Sequence, residues 1–260
     1  MAHKFRLLET GFHPAVFNMG LDEAILDSVS QGNCLPTLRF YGWIPPAVSL
    51  GYFQGLQEEI DIEACKALGI DVVRRITGGG AVFHHHEVTY SIVIPLGHSL
   101  ARSGIIDSYR ILLAGIVEGL AELGIQSEFA PINDIVSAGK KISGNAQTRK
   151  KGCILQHGTI IVEVDIDLMF SILKVPQEKT KGKLIEDAKS RVTSIRNCLS
   201  VPDSVSFEEL FFSTITALER GYSRALDLDY ELSGPTDLEL KNAERLAREK
   251  FSNNQWTALR

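Results

Sequence analysis

Several things are scarce in this sequence, and each shortage narrows the reading. No apolar run approaches the roughly 20 residues that a membrane-spanning helix needs. The opening Met1-Ala2-His3-Lys4-Phe5-Arg6 has no apolar centre of the kind a secretory signal requires. There are only 4 cysteines, Cys34, Cys65, Cys153 and Cys198, too scattered for a metal-ligand spacing or a disulfide framework. They read as reduced thiols of a cytoplasmic protein, mostly small buried side chains. Basic residues are not in excess: 27 Lys and Arg face 32 Asp and Glu, for a net charge of −5. That balance gives no overall pull toward nucleic acid or an anionic membrane. Internal repeats and low-complexity tracts are absent.

What remains is an ordinary globular balance, 44% hydrophobic and 23% charged in 260 residues. The expectation is a single domain over 1–260, with a core to about 200 and a C-terminal helical portion, about 201–260, packed on it. Strands are expected over 5–10, 37–41, 47–52, 71–75, 88–95 and 153–164. The Pro45-Pro46 pair marks a turn between two of them. Residues 16–30 read as a helix with Asp22 and Glu23 on its solvated face. Ile105, Tyr109, Leu112, Ile116, Leu120 and Leu123 step by three or four and predict a helix that stops at Gly124. Asp61 caps a short helix ending at Gly69. Another short helix, Asp167 to Leu173, stops before Pro176, and the charged stretch 174–191 reads as a solvated connection or a lid. Ser206-x-x-Glu209 and Thr236-x-x-Glu239 are capping boxes that open helices over about 207–221 and 237–250. Strands joined by turns with helices outside indicate an α/β or α+β sheet domain.

The stretch with most chemical character is Arg74-Arg75-Ile76-Thr77-Gly78-Gly79-Gly80-Ala81-Val82-Phe83-His84. Three adjacent glycines let several backbone N–H groups approach one anion, and the arginines offer charged forks for phosphate or carboxylate oxygens. Some sixty residues later come Asn133-Asp134-Ile135-Val136, then Lys140-Lys141-Ile142-Ser143-Gly144-Asn145, then Gln156-His157-Gly158-Thr159. Ala138-Gly139 between the first two predicts a hairpin, and alternation puts Ile142 on the face opposite Lys141 and Ser143. His84-His85-His86 invites a metal reading, but neighbouring strand residues face opposite ways and cannot easily share one ion.

Together these motifs resemble the lipoate–protein ligase family, and the resemblance extends to Asn18-Met19-Gly20-Leu21-Asp22-Glu23-Ala24 and Gly51-Tyr52-Phe53-Gln54, over roughly residues 5–250. It implies an α+β fold with a mixed, largely antiparallel sheet and flanking helices, like the catalytic domains of biotin–protein ligases and class II aminoacyl-tRNA synthetases. It implies an enzyme that activates lipoate with ATP and Mg²⁺ to lipoyl-AMP and passes the lipoyl group to a lysine of a lipoyl acceptor protein. In that reading Lys141 is the catalytic lysine, and Arg75 binds phosphate. Gly78, Gly79, Gly80, Ala81, Val82, Phe83 and His84 lie along nucleotide and acyl group, with Gly144 beside them. Asn133 and Asp134 sit near the phosphates, Asp134 as a Mg²⁺ ligand, and His157 lines the acyl pocket. A separate small accessory subunit is a possible partner, since the chain has no room for the accessory domain that some members carry.

Two segments, Glu87-Val88-Thr89-Tyr90-Ser91 and Gln147-Thr148-Arg149, look more like the related lipoyl-carrier octanoyltransferases, which work through a cysteine thioester without ATP. That family's Cys-Phe-x-x-Pro matches Glu128-Phe129-Ala130-Pro131 here, with no cysteine, and the third glycine, Gly80, stands where that family tends to have arginine. Both departures favour the ligase. Cys153, within an apolar strand, reads as a buried side chain. An ATP-independent octanoyl or lipoyl transferase is the alternative, and a non-catalytic lipoyl- or nucleotide-binding protein is a third reading.

Overall fold

The computed structural model describes residues 2–101, 104–174, 186 and 189–260. Among the described residues eleven strands form two sheets. They are β1 (His3–His13), β2 (Thr37–Trp43), β3 (Ala47–Leu50), β4 (Asp71–Arg74), β5 (Val82–His84), β6 (Glu87–Pro95), β7 (Glu128–Ala130), β8 (Asp134–Ser137), β9 (Lys140–Lys150), β10 (Cys153–Ile161) and β11 (Leu228–Leu232). The large sheet runs β11-β1-β2-β6-β10-β9-β8-β7 and the small one β4-β3-β5. In the large sheet β1 pairs in parallel with both β11 and β2, and every other pair is antiparallel. The fold is therefore α+β with a mixed, largely antiparallel sheet, as expected.

The centre of the large sheet is covered on both faces, so its strands read as nearly continuous apolar runs. On β6, Val88, Tyr90, Ile92 and Ile94 enter one core, while Val93 enters the other. The first core lies under the long helices at Ile105–Glu122 and Phe207–Leu226. Both capping boxes form: Ser206 and Thr236 each accept from the backbone of Glu209 and Glu239, and each glutamate reaches back. The second core lies under the helix Ala15–Ser30 and the helix Asp237–Leu246. The C-terminal portion also supplies β11, so it extends the sheet as well as covering it.

The β8–β9 hairpin turns at Ala138 (φ 47°) and Gly139 (φ 75°), the two left-handed residues that a two-residue hairpin favours. Strand β10 stops at Ile161 because Val162 and Glu163 turn to donate to the His86 carbonyl. The short helix Ile62–Ala67 is capped by Asp61, whose side chain accepts from the Ala64 N–H at 3.0 Å. Pro176 and most of the charged stretch 174–191 lie outside the described residues. One expectation fails at the Ala15–Ser30 helix. Asp22 is not solvated but buried, because that face lies on the sheet where Arg39 of β2 requires a counter-charge. Glu23 pairs with Lys250 at 2.6 Å.

Candidate active site

The glycine loop leaves β4 and passes over β3. Gly79 (φ 96°) takes the left-handed conformation that glycine tolerates. Arg75 is buried and holds the loop from beneath: Nη2 donates to the Gly78 and Gly80 carbonyls, both at 2.7 Å. Its Nη1 donates to the Ser49 carbonyl at 2.9 Å and to Ser49 Oγ at 3.1 Å, and Nε donates to Thr77 Oγ1 at 3.1 Å. None of these acceptors is a carboxylate, and burial pushes the guanidinium down to about 10. Arg74 is spent in the same way, on the carbonyls of Gly51, Gln54 and Thr257. Both arginines thus act as clamps for the loop's backbone.

Lys141 is the second residue of β9, beside the loop, with Ile142 in the core as alternation requires. The Lys141 ammonium pairs with Asp134 Oδ1 at 2.8 Å across the hairpin. Gly144 makes room for it: a Cβ there would lie 2.7 Å from both Cε and Nζ of Lys141. Asn133 and Asn145 clasp each other, each side-chain amide donating to the other's main-chain carbonyl.

Two histidine relays lie beneath the loop. His157 Nε2 meets Thr77 Oγ1 at 2.7 Å, and its Nδ1 faces Asp22 Oδ2 at 3.3 Å. Asp22 also accepts from Arg39 (2.7 Å), Ser91 (2.8 Å) and Tyr41 (3.0 Å). Burial pushes the Asp22 carboxyl up, but these donors outweigh it and hold the group below its ordinary range. Burial pushes His157 down, so its imidazole is neutral at pH 7, and Arg39 is the effective counter-ion of Asp22. In the second relay Ser49 Oγ meets His84 Nε2 at 2.7 Å, and His84 Nδ1 meets Glu87 Oε1 at 2.7 Å. Trp43 stacks on the His84 ring, 4.0 Å between centroids and 17° between planes.

These groups surround a cavity of about 160 Å³ between the sheets. Apolar walls come from Met19, Tyr41, Trp43, Ala81 and Val82. A cavity near ~150 Å³ holds one small hydrocarbon. Of the predicted residues, Arg75, Gly79, Gly80, Ala81, Val82, His84, Asn133, Lys141, Gly144 and His157 line it. Phe83 instead faces an adjoining cavity of about 230 Å³, which shares Lys141 and Gly144. Gly78 and Asp134 line neither. His85 and His86 stack on each other, 3.8 Å apart, and line the adjoining cavity but not the first. Sequence reasoning missed Ser49, Trp43 and Tyr41, and it missed the buried partners Asp22 and Glu87. Asp22 carried a signal, since it falls within a motif already singled out; Ser49 carried none.

The residues present do not fit the expected Mg²⁺. That cation needs several oxygen ligands, yet the lining of this cavity contains no carboxylate. Asp134, the expected ligand, is already neutralised by Lys141. Among the described residues no cluster of three or more His, Cys, Asp or Glu is placed to hold a metal ion.

The chain belongs to the family described as the lipoyl protein ligase A/B catalytic domain, whose model matches residues 14–218. It is therefore an enzyme of the lipoyl and octanoyl ligase–transferase family. It is 38% identical to the octanoyltransferase LipM of Geobacillus kaustophilus, over 97% of each chain. Further curated full-length relatives at 33–36% identity carry the same name. Among solved structures it resembles a bipartite lipoate protein ligase from Thermoplasma acidophilum, with a TM-score of 0.85, 32% identity and 99% and 98% of the two chains covered. It also resembles a lipoate–protein ligase A bound with ATP, with a TM-score of 0.79, 32% identity and 99% of both chains covered.

These relatives correct the expected activity. ATP-dependent lipoate ligation is overturned by the octanoyltransferase name that the curated relatives share along their full length. Of the two departures that favoured a ligase, the missing cysteine at Glu128 stands and the one at Gly80 weighs little. A Cβ at Gly80 would meet nothing within 4 Å, so the backbone there accepts the side chain that transferases tend to carry. Among the described residues no helix is long and apolar enough to cross a membrane.

Proposed function

We propose that this enzyme is an octanoyltransferase that moves an octanoyl group from a thioester donor to a lysine of a lipoyl acceptor domain, without ATP. The full-length similarity to octanoyltransferases carries this reading. The site suits it in two ways. The apolar cavity under the glycine loop accepts a narrow acyl chain, and the adjoining cavity extends it. The ammonium of Lys141, which lines both cavities, supplies positive charge where a carbonyl oxygen becomes an oxyanion. In the net reaction the amide bond to the acceptor lysine replaces the thioester C–S bond, and the amine's proton ends on the released thiol. No phosphoryl group takes part, so the missing Mg²⁺ ligands are no obstacle. The accessory subunit was expected chiefly for adenylation, a step this reaction does not include.

The test is to incubate the purified chain with an S-octanoyl carrier protein and a lipoyl acceptor domain, with no nucleotide, and weigh the acceptor by mass spectrometry. The expected product is an acceptor heavier by one octanoyl group on its lysine. An acceptor that stays unmodified until ATP and free acid are added overturns the proposal.

A further inference from the structure

We infer that Trp256 is a positioning residue for the glycine loop, acting through Arg74, so that the turn Asn254–Thr257 sets the geometry of acyl transfer from outside the site. The inference rests on the octanoyltransferase reading, which supplies the reaction whose geometry is set.

Arg74 ends β4, is buried, and stands immediately before Arg75, the clamp of the glycine loop. Among the described residues its guanidinium meets main-chain carbonyls and no carboxylate. A buried charge without a counter-charge depends on each hydrogen bond it makes. The fork divides these bonds between two segments. Nη1 donates to the carbonyls of Gly51 (2.9 Å), Tyr52 (3.2 Å) and Gln54 (2.6 Å). Nε donates to the carbonyls of Trp256 and Thr257, both at 3.1 Å, and Nη2 donates to that of Thr257 at 2.8 Å. A guanidinium is planar and rigid, so it fixes the first segment against the second. A return contact closes the link: the Trp256 indole N–H donates to the Arg74 carbonyl at 2.8 Å. The turn thus holds both the main chain and the side chain of Arg74.

Residues 51–54 carry that position to the glycine loop. The Tyr52 N–H donates to the Thr77 carbonyl at 2.8 Å, and the Arg75 N–H donates to the Leu50 carbonyl at 3.0 Å. Gly51 lies so close to Gly79 that an added Cβ would stand 2.9 Å from the Gly79 carbonyl carbon, which leaves no play between them. Gly79, Gly80, Ala81 and Val82 then line the acyl cavity with Lys141. The turn itself is firmly set. The Asn253 side chain accepts from the Gln255 N–H at 2.8 Å, and the Trp256 ring packs near Tyr52 and Phe251, with centroids 5.8 and 6.1 Å away. The Lys250 ammonium sits over the indole at 4.2 Å and is held by Glu23. No residue of the turn lines the acyl cavity or the one adjoining it, so its effect on the reaction passes through Arg74.

The experiment compares the full chain with Trp256→Ala, Trp256→Phe and Leu246→Ala. Leu246 is buried in the second core, on which Trp256 also packs, and its truncation lowers stability without touching the link to Arg74. Transfer from S-octanoyl-pantetheine to a lipoyl acceptor domain gives kcat and KM. Hydrogen exchange read by mass spectrometry follows the peptides that span Tyr52 and Arg75. Trp256→Ala should lower kcat by about a hundredfold, the effect of a site displaced by about 1 Å, with a far smaller change in KM for the donor. Exchange in those peptides should quicken at least about tenfold. Trp256→Phe keeps the packing and loses one N–H, so its kcat should fall only roughly two- to tenfold. Leu246→Ala should lower Tm and leave kcat and the exchange of those peptides as in the parent. A folded Trp256→Ala protein with parental kcat or parental exchange overturns the inference. So does a Leu246→Ala protein that loses as much kcat at the same loss of Tm. If Trp256→Ala does not fold, Trp256→Phe decides, and parental values in it overturn the inference. A parent that transfers no octanoate overturns the transferase reading instead, and the exchange of the two peptides then decides the positioning role by itself.

Discussion

Gly51→Ala adds one methyl just past the end of β3, beneath the glycine loop. Its Cβ would stand 2.9 Å from the carbonyl carbon of Gly79, closer still to the oxygen, and 3.3 Å from Arg75 Nη2. Carbon–carbon contact is comfortable near 3.5–4.0 Å, so the Gly79 peptide must retreat by roughly 1 Å. It cannot do so freely, because Arg75 Nη2 grips the carbonyls on either side of it at 2.7 Å. Overpacking of this kind costs about 1–3 kcal/mol. In a chain of about this size each kcal/mol lowers Tm by roughly 2–4 °C. The expected fall is therefore about 2–12 °C. A displacement of about 1 Å in the groups that shape a site costs on the order of a hundredfold in rate. Gly80→Ala is the control, one residue beyond Gly79: its Cβ meets nothing within 4 Å, so its effect on stability stays within about 0.5 kcal/mol. The measurements are thermal unfolding of the parent and both variants, and octanoyl transfer by the parent and Gly51→Ala. A Gly51→Ala protein that melts and transfers like the parent would refute the reasoning. So would a Gly80→Ala protein that loses as much stability as Gly51→Ala.

The remaining predictions concern charge, thiols and protons. Lys141→Ala should lower the octanoyl-transfer rate by at least about a hundredfold, by analogy with a lost oxyanion donor. Its partly exposed pair with Asp134 contributes at most about 1 kcal/mol to stability. Lys140→Ala should cost much less, and the reverse order in single-turnover rates would refute the role. A variant with Cys34, Cys65, Cys153 and Cys198 all replaced by alanine or serine should still transfer; a folded protein without activity would point to a thiol. His157 is held neutral by burial, so its folded pKa lies below the unfolded one. Its stabilising contribution is complete above about pH 6.5 and is lost as the unfolded chain takes up the proton, at up to about 1.4 kcal/mol per pH unit. Denaturant unfolding at pH 7 and pH 5 should therefore show a smaller acid loss in His157→Gln than in the parent, and equal losses would refute it.

Much of the fold was legible because it is written in local chemistry. The capping boxes at Ser206 and Thr236, the Ala138-Gly139 turn and the helix stepping from Ile105 each carry their cause within a few residues. The parallel pairing of β1 with β11 was not legible, because its partners lie some 225 residues apart and neither strand names the other. In the site, Lys141 and the glycine loop stood out as motifs, but what the arginines bind did not. Their acceptors are main-chain carbonyls, which every residue carries. Asp22 was misjudged because an acidic residue in a helix is normally solvated, and its buried partner Arg39 lies in a separate strand. Ser49 was invisible as one hydroxyl in an apolar strand. The choice between ligase and transferase failed because both share the loop, the lysine and the His-Gly-Thr strand.

Arg6 and Glu239 form a buried, two-pronged ion pair at 2.6 and 2.8 Å, beside the edge where β11 closes on β1. On the ribosome Arg6 comes 233 residues before Glu239. At about 5–20 residues per second, the guanidinium waits tens of seconds for its carboxylate. For the same interval one edge of β1 has no strand beside it, and an unpaired edge invites another chain. The strands that hold the cavity, β2, β6, β10 and β9, are all made by residue 161. A nascent chain can thus pair these strands while one edge of β1 is still bare, although the Arg74 clamp on the glycine loop must wait for the Thr257 carbonyl. Its most vulnerable interval in the cell falls after those strands are paired and before β11 has left the ribosome.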